Sequence, residues 1–232
     1  MMLIDLDDTI LKFNSNYKQS WKKAIYQVDQ LKSARNRILK EFIRQCVTPV
    51  LTLSERPYKF STREERLNLI HKIFISQKIE NKELELELEN AFFLARDEKI
   101  SPFPHALSTL EFLNSIGINC VLVSNGTSER QRSKISKFHL GPYFSHIVIS
   151  EEIGYEKPSP EIFQYAMELT GHDHRTTWMI GDSYQSDIIG AKSTGIFSVM
   201  ISKTRPKVLN KRTTPLPDIV VQSFNEVGKI FR

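Results

Sequence analysis

Apolar positions along the chain follow two different rhythms. Between residues 14 and 100 they recur at helical spacing. Trp21, Ala24, Ile25 and Val28 fall at i, i+3, i+4 and i+7, Ile38, Leu39, Phe42, Ile43 and Cys46 repeat one face, and Leu67, Ile70 and Phe74 repeat another. Three amphipathic helices are expected. The run from Lys82 to Glu89 alternates Glu with Leu, and a period of two argues for a strand. Its residues are strong helix formers, however, and Leu84, Leu88, Ala91 and Phe92 continue one helical face, so a fourth helix is the better reading. Pro49, Pro57, Ser61 and Thr62 punctuate the segment, and Ser101-Pro102-Phe103-Pro104 closes it.

From residue 104 helix and strand alternate. Helices near 104–116, 128–138, 160–169 and 187–194 precede short apolar runs at 118–123, 146–150, 177–180 and 196–201, and a last run at 218–221 precedes a short helix. Residues 1–6 add one more strand. Short buried strands separated by helices are the signature of a parallel sheet covered on both faces. The expected fold is therefore α/β: a Rossmann-like, doubly wound parallel sheet built from residues 1–13 and 101–232, with residues 14–100 inserted as an all-α domain.

Composition adds limits. Of 232 residues 40% are apolar and 25% charged, ordinary usage for a soluble globular protein. No run approaches the roughly 18 apolar residues a spanning helix needs, and Asp5 interrupts the start too early for a signal peptide, so a cytoplasmic location is expected and no membrane partner. Cys46 and Cys120 read as reduced structural thiols. Thirty-two Lys and Arg stand against 27 Asp and Glu, and the excess lies in residues 14–100, which hold 17 of the bases and 12 of the acids. Within that segment a basic stretch, 17–72, precedes an acidic one, 77–100. It reads either as a solvated helix surface or as steering of an anionic ligand. No helix-turn-helix, finger or aromatic RNA-binding motif accompanies it, so nucleic acid is not an expected partner. The six histidines show no ligand spacing, and the basic stretch 203–212 reads as an exposed connection.

In open α/β sheets ligands gather at the carboxyl ends of the strands. Four such ends are unusually polar here: Asp5-Leu6-Asp7-Asp8-Thr9, Ser124-Asn125-Gly126-Thr127, Gly154-Tyr155-Glu156-Lys157-Pro158 and Gly181-Asp182-Ser183 with Asp187 beyond it. Singly, each has a bland explanation as a helix cap, a turn or a surface lysine. Together, in one order, they do not. Two unit charges about 4 Å apart repel by roughly 4 kcal/mol at an effective dielectric near 20. Asp5, Asp7, Asp182 and Asp187 could therefore converge only with help from a divalent cation and the Lys157 ammonium. Hard oxygen ligands with no His or Cys beside them favour Mg²⁺ over zinc.

In order and placement these four segments resemble the four motifs of the haloacid dehalogenase-like (HAD) hydrolase superfamily. The likeness covers nearly the whole chain. Residues 14–100 fall where one branch of that superfamily inserts a helical cap, and Gly154 to Phe163 resembles that branch's third motif. The lead-in of four residues before Asp5 is shorter than the pattern.

The resemblance implies roles that the residue types can perform. Asp5 would be the nucleophile, attacking phosphorus to give an aspartyl-phosphate. Asp7 would be general acid and base, its backbone carbonyl also reaching the metal. Asp182 with Asp5 would hold Mg²⁺, supported by Asp187. Ser124 and the Asn125 and Gly126 amides would bind phosphoryl oxygens, and Lys157 would balance the charge on Asp5 and the phosphate. Asp8 is expected to be a plain turn residue.

An acid at position 7 favours phosphate esters over halides, because an alkoxide leaving group needs a proton. The expected activity is Mg²⁺-dependent hydrolysis of a small phosphorylated metabolite, a sugar phosphate, acyl-sugar phosphate or nucleoside monophosphate. A phosphomutase is the alternative enzyme, and a non-catalytic phosphate-dependent binding module the alternative outside catalysis. The helical cap would set specificity by closing over the site, with Tyr17, Lys18, Trp21, Arg44, Arg56 and Lys59 as candidate contacts.

Overall fold

The apolar runs after residue 104 form strands because each is flanked by polar turns and has neighbours that bury both its faces. The structure, a computed structural model, describes residues 1–13, 17–47, 63–202 and 215–231. Contacts divide the chain into two compact units, Met1–Lys12 with Ser101–Arg232, and Phe13–Ile100.

The first unit holds a six-stranded sheet. Its strands are β1 (Met2–Ile4), β4 (Cys120–Ser124), β5 (His146–Ile149), β6 (Trp178–Gly181), β7 (Phe197–Ile201) and β8 (Ile219–Val221), in the order β5-β4-β1-β6-β7-β8. Every pairing is parallel. The helices are α5 (Ala106–Ser115), α6 (Ser128–Lys137), α7 (Ser150–Ile153), α8 (Pro160–Glu168), α9 (Ile189–Ser193) and α10 (Phe224–Ile230). Leu3, Val121, Val123 and Met179 pack with Ile162, Phe163 and Ala166 of α8 and Ala191 of α9. The alternate residues Met2, Ile4, Cys120 and Leu122 are buried too, on the opposite face by the two-residue alternation of strands. This is the doubly wound α/β fold.

Four details differ from expectation. β1 is only three residues long, although the Asp5 amide still donates to the Ile180 carbonyl at 2.9 Å and so carries the pairing one residue further. Ser150 opens α7 rather than closing β5. The helix expected from 187 begins earlier, as a π-helical turn over Tyr184–Ile188, because the Ser183 carbonyl accepts from the amides of both Asp187 and Ile188. Finally, two short strands escaped notice: β2 (Leu11–Lys12) pairs antiparallel with β3 (Ser101–Pro102).

The second unit is helical among its described residues: α1 (Tyr17–Gln27), a 3₁₀ turn at Asp29–Leu31, α2 (Arg35–Val47), α3 (Arg63–Ser76) and α4 (Lys82–Asp97). The Glu-Leu run is helix. Asn81 caps it by accepting from the Leu84 amide at 3.0 Å, and Leu84, Leu88 and Phe92 turn inward. Trp21 lies stacked between Phe42, at 4.3 Å, and Phe92, at 3.9 Å, so this candidate contact is a core residue. Arg44 is exposed and forked onto Glu41. Arg56, Lys59, Pro49, Pro57, Ser61, Thr62, the stretch 203–212 and the side chains of Tyr17, Lys18 and Cys46 lie outside the described residues. No described helix is long and apolar enough to cross a membrane.

Candidate active site

Parallel register brings the polar segments together. Ile4 of β1 lies opposite Leu122 of β4 and Ile180 of β6, so the chain leaves all three strands at one edge of the sheet. Asp5 follows β1 directly, Ser124 ends β4, and Asp182 follows β6. One carboxylate oxygen each from Asp5, Asp182 and Asp187 lies within 4.8 Å of the other two. The sequence separations are large, and the strand ends cancel them.

Asp187 reaches this edge because of a glycine. A Cβ on Gly181 would stand 2.1 Å from Asp187 Oδ2, so no larger residue leaves room for the carboxylate over the end of β6. The Ser183 amide donates to Asp187 Oδ2 at 2.9 Å, and the Ser183 hydroxyl oxygen accepts from the Ser186 amide at 3.2 Å.

Lys157 is the buried cation among these acids, 3% exposed. Its ammonium donates to Asp5 Oδ1 at 2.8 Å, to Asp187 Oδ1 at 2.7 Å and to the Val123 carbonyl at 2.8 Å. All three of its donors are used. Asn125 holds the backbone of Lys157 on both sides, its Oδ1 accepting from the Lys157 amide and its Nδ2 donating to the Lys157 carbonyl, each at 2.8 Å. Burial alone would lower the ammonium's pKa, but Asp187 and Asp5 outweigh it and raise it. Asp5 moves the other way from a free carboxylate. Burial pushes it up to about 7, with Lys157 opposing and the charges of Asp187 and Asp7 adding to the rise.

The Lys157 ammonium pairs with Asp5 and Asp187 of the three clustered carboxylates, and burial still holds Asp5 well above the ordinary carboxylate range. The donors are all hard oxygens, and among the described residues no His or Cys joins the cluster. That set suits Mg²⁺.

Asp7 points elsewhere. Its two oxygens accept from Lys134 Nζ at 2.8 and 2.7 Å, and Oδ2 also accepts from Gln131 Nε2 at 3.2 Å. The same Nε2 also lies within bonding distance of Ser124 Oγ and the Asn125 carbonyl, so its two hydrogens are shared among three acceptors. The Gly126 amide donates to Ser150 Oγ at 3.0 Å. Gly126 itself has φ +136°, and a Cβ there would meet Gln131 Cδ at 3.3 Å, so both backbone and space call for glycine. Asp8 lies in a turn, as expected, and its φ of +63° puts it in the left-handed region.

Comparison with known proteins decides the family. A family model for haloacid dehalogenase-like hydrolases matches residues 1–195. The chain belongs to this family.

Among curated relatives of this HAD-like hydrolase, the glyceraldehyde 3-phosphate phosphatase of Methanothermobacter thermautotrophicus is 32% identical over 103 residues, 44% of this chain and 46% of that protein. The pyrimidine 5′-nucleotidase YjjG of Escherichia coli is 38% identical over 114 residues, 47% of this chain and 49% of that one. The chain thus spans about half the length of the curated relatives it matches. Among solved structures, the HAD-hydrolase YfnB from Bacillus subtilis, bound to magnesium, shares the fold with a TM-score of 0.71 at 21% identity, covering 100% of this chain and 97% of that one.

Two residues that hold Asp7 were missed in the sequence, Gln131 and Lys134. The signal was present. Within α6 the inward face carries Gln131, Lys134 and Ile135, so two of three buried positions are polar on a helix that needed apolar ones.

Proposed function

We propose that this HAD-like hydrolase is a Mg²⁺-dependent phosphatase acting on small phosphate monoesters through an aspartyl-phosphate. The observation that carries the reading is the buried Asp5–Lys157–Asp187 cluster beside Asp182, with a second carboxylate, Asp7, two residues along the chain and held separately.

In this reading an Asp5 oxygen attacks phosphorus. A bond forms from Asp5 to phosphorus as the ester P–O bond breaks, and Asp7 gives its proton to the departing alkoxide. A water then attacks the same phosphorus, Asp7 takes its proton back, and inorganic phosphate and a free Asp5 carboxylate result. Asp5, Asp182 and Asp187 with the Asp7 carbonyl would hold Mg²⁺, which when bound supplies positive charge against the phosphoryl oxygens. Lys157 neutralises Asp5 and fixes its orientation, and Asn125 fixes Lys157. The Ser124 hydroxyl has its proton available for a phosphoryl oxygen, since its oxygen accepts from Gln131.

The relatives named as phosphatases and nucleotidase support a phosphorylated metabolite as substrate: a sugar phosphate, acyl-sugar phosphate or nucleoside monophosphate. The helical insertion, Phe13–Ile100, is the specificity element in this reading, acting as a cap.

Purified protein with Mg²⁺ hydrolyses p-nitrophenyl phosphate on this account, and EDTA abolishes the activity. Asp5→Asn is folded and inactive. Turnover that survives either change overturns the assignment.

A further inference from the structure

Lys134 sits where a hydrophobic residue would be expected. It faces inward from α6 beside Ile135 and is 6% exposed. Burying an ammonium is costly unless it is paired, and a leucine or methionine would fill such a position without that penalty. Lys134 has such a partner in Asp7, both of whose oxygens it meets, at 2.7 and 2.8 Å. One turn earlier on the same helix Gln131, 2% exposed, also reaches Asp7.

Gln131 does more than add a bond. A single nitrogen, Nε2, faces Asp7 Oδ2, Ser124 Oγ and the Asn125 carbonyl. It joins the carboxylate that follows β1 to the hydroxyl that ends β4, and Gly126 leaves the space through which it does so. The two α6 side chains therefore fix the Asp7 carboxylate from one side and tie its place to the strand end where the phosphoryl group is read.

We infer that Lys134 and Gln131 are positioning residues for Asp7, holding its carboxylate in register with Ser124 so that it meets the leaving-group oxygen. The inference rests on the phosphatase reading above. Neither residue touches the reacting atoms; Lys134 acts through Asp7, and Gln131 through Asp7 and Ser124. Their effect must then follow the need for a proton at the leaving group. An alkyl phosphate expels a strongly basic alkoxide and depends on Asp7, whereas p-nitrophenyl phosphate expels a stable phenolate and depends on it little.

The experiment compares kcat/KM for an alkyl phosphate and for p-nitrophenyl phosphate, with saturating Mg²⁺, in wild type, Lys134→Met, Lys134→Arg, Gln131→Leu and Asp7→Asn. Because kcat/KM covers steps only up to formation of the aspartyl-phosphate, the later hydrolysis does not enter it. Asp7→Asn calibrates the largest change in the ratio of the two values, on the order of 100-fold or more. Lys134→Met lowers the alkyl phosphate value about 10- to 100-fold and the aryl value by no more than a few-fold, and Lys134→Arg recovers part of the ratio. Gln131→Leu shifts the ratio in the same direction and gives the reading if Lys134→Met does not fold, as judged by circular dichroism.

Parallel losses on both esters, or none on either, overturn the assignment of Lys134 and Gln131 while leaving the phosphatase reading intact. A wild type inert toward both esters, or an Asp7→Asn variant with an unchanged ratio, brings down the phosphatase reading and this inference together.

Discussion

Lys157 donates to Asp187 Oδ1 at 2.7 Å with both side chains buried, so the lysine is bound to the fold's acidic turn as firmly as to Asp5. Breaking a buried pair by removing one partner costs about 3–5 kcal/mol, because the other charge is left uncompensated. Lys157→Met, which strands both Asp5 and Asp187, is expected to lose stability on that scale and all turnover. Urea denaturation measures the first and p-nitrophenyl phosphate hydrolysis the second. Adding Asp187→Leu to Lys157→Met recovers part of the stability and none of the activity.

The glycine that ends β6 makes a sharper prediction. Any Cβ at position 181 collides with the Asp187 carboxylate at 2.1 Å. Gly181→Ala must push Asp187 off the strand end, away from the Ser183 amide and Lys157. The expected result is at least 10-fold weaker Mg²⁺ binding by isothermal titration calorimetry, with far-UV circular dichroism retained.

Removing the metal should be visible without any substrate. Three carboxylates bring oxygens within 4.8 Å of one another, so an ion that binds there only in the folded chain stabilises it by mass action, about 2.7 kcal/mol at 100 times the dissociation constant. Thermal unfolding is expected to rise with added Mg²⁺ and to fall back with EDTA. Asp182→Asn should flatten this response, since one of the three clustered ligand oxygens loses its charge.

Cys120 lies inside the sheet at 1% exposure, and burial pushes its thiol up to about 11. The reactive thiolate is then scarce below pH 10 in the native protein and common at pH 9 in the unfolded one, where the thiol has its ordinary value near 8.5. Iodoacetamide at pH 8 should label Cys120 slowly in buffer and rapidly in urea, as read by peptide mass spectrometry. Equal rates in the two would contradict its placement.

Much of this was legible beforehand, for identifiable reasons. Helical and strand periods exposed the two units because Trp21, Ile25 and Leu88 serve one helical core while Val121 and Val123 serve a sheet. Asp5, Lys157 and Asp182 could be singled out because acids and a lysine directly after apolar strands are costly to explain as structure. The engagement of Asp187 with Lys157 could not be read, since it depends on how the turn at Ser183 closes. Lys134 and Gln131 were hidden by their surroundings: in a helix reading Ser-Glu-Arg-Gln-Arg-Ser-Lys, one more polar residue draws no attention until its face is known. Trp21 was ambiguous for the opposite reason, because an aromatic beside lysines suits a binding surface as well as a core.

The small ladder of Leu11–Lys12 with Ser101–Pro102 belongs wholly to the α/β unit, and the Phe103 amide extends it by donating to the Ile10 carbonyl at 2.8 Å. It staples together the two points where the main chain departs for the helices and comes back. A detour that begins and ends at one closed seam can be lengthened, shortened or swapped for another without re-threading the sheet. If the insertion chooses the substrate, as proposed above, exchange of that single cassette would change the preference while the sheet stays as it is.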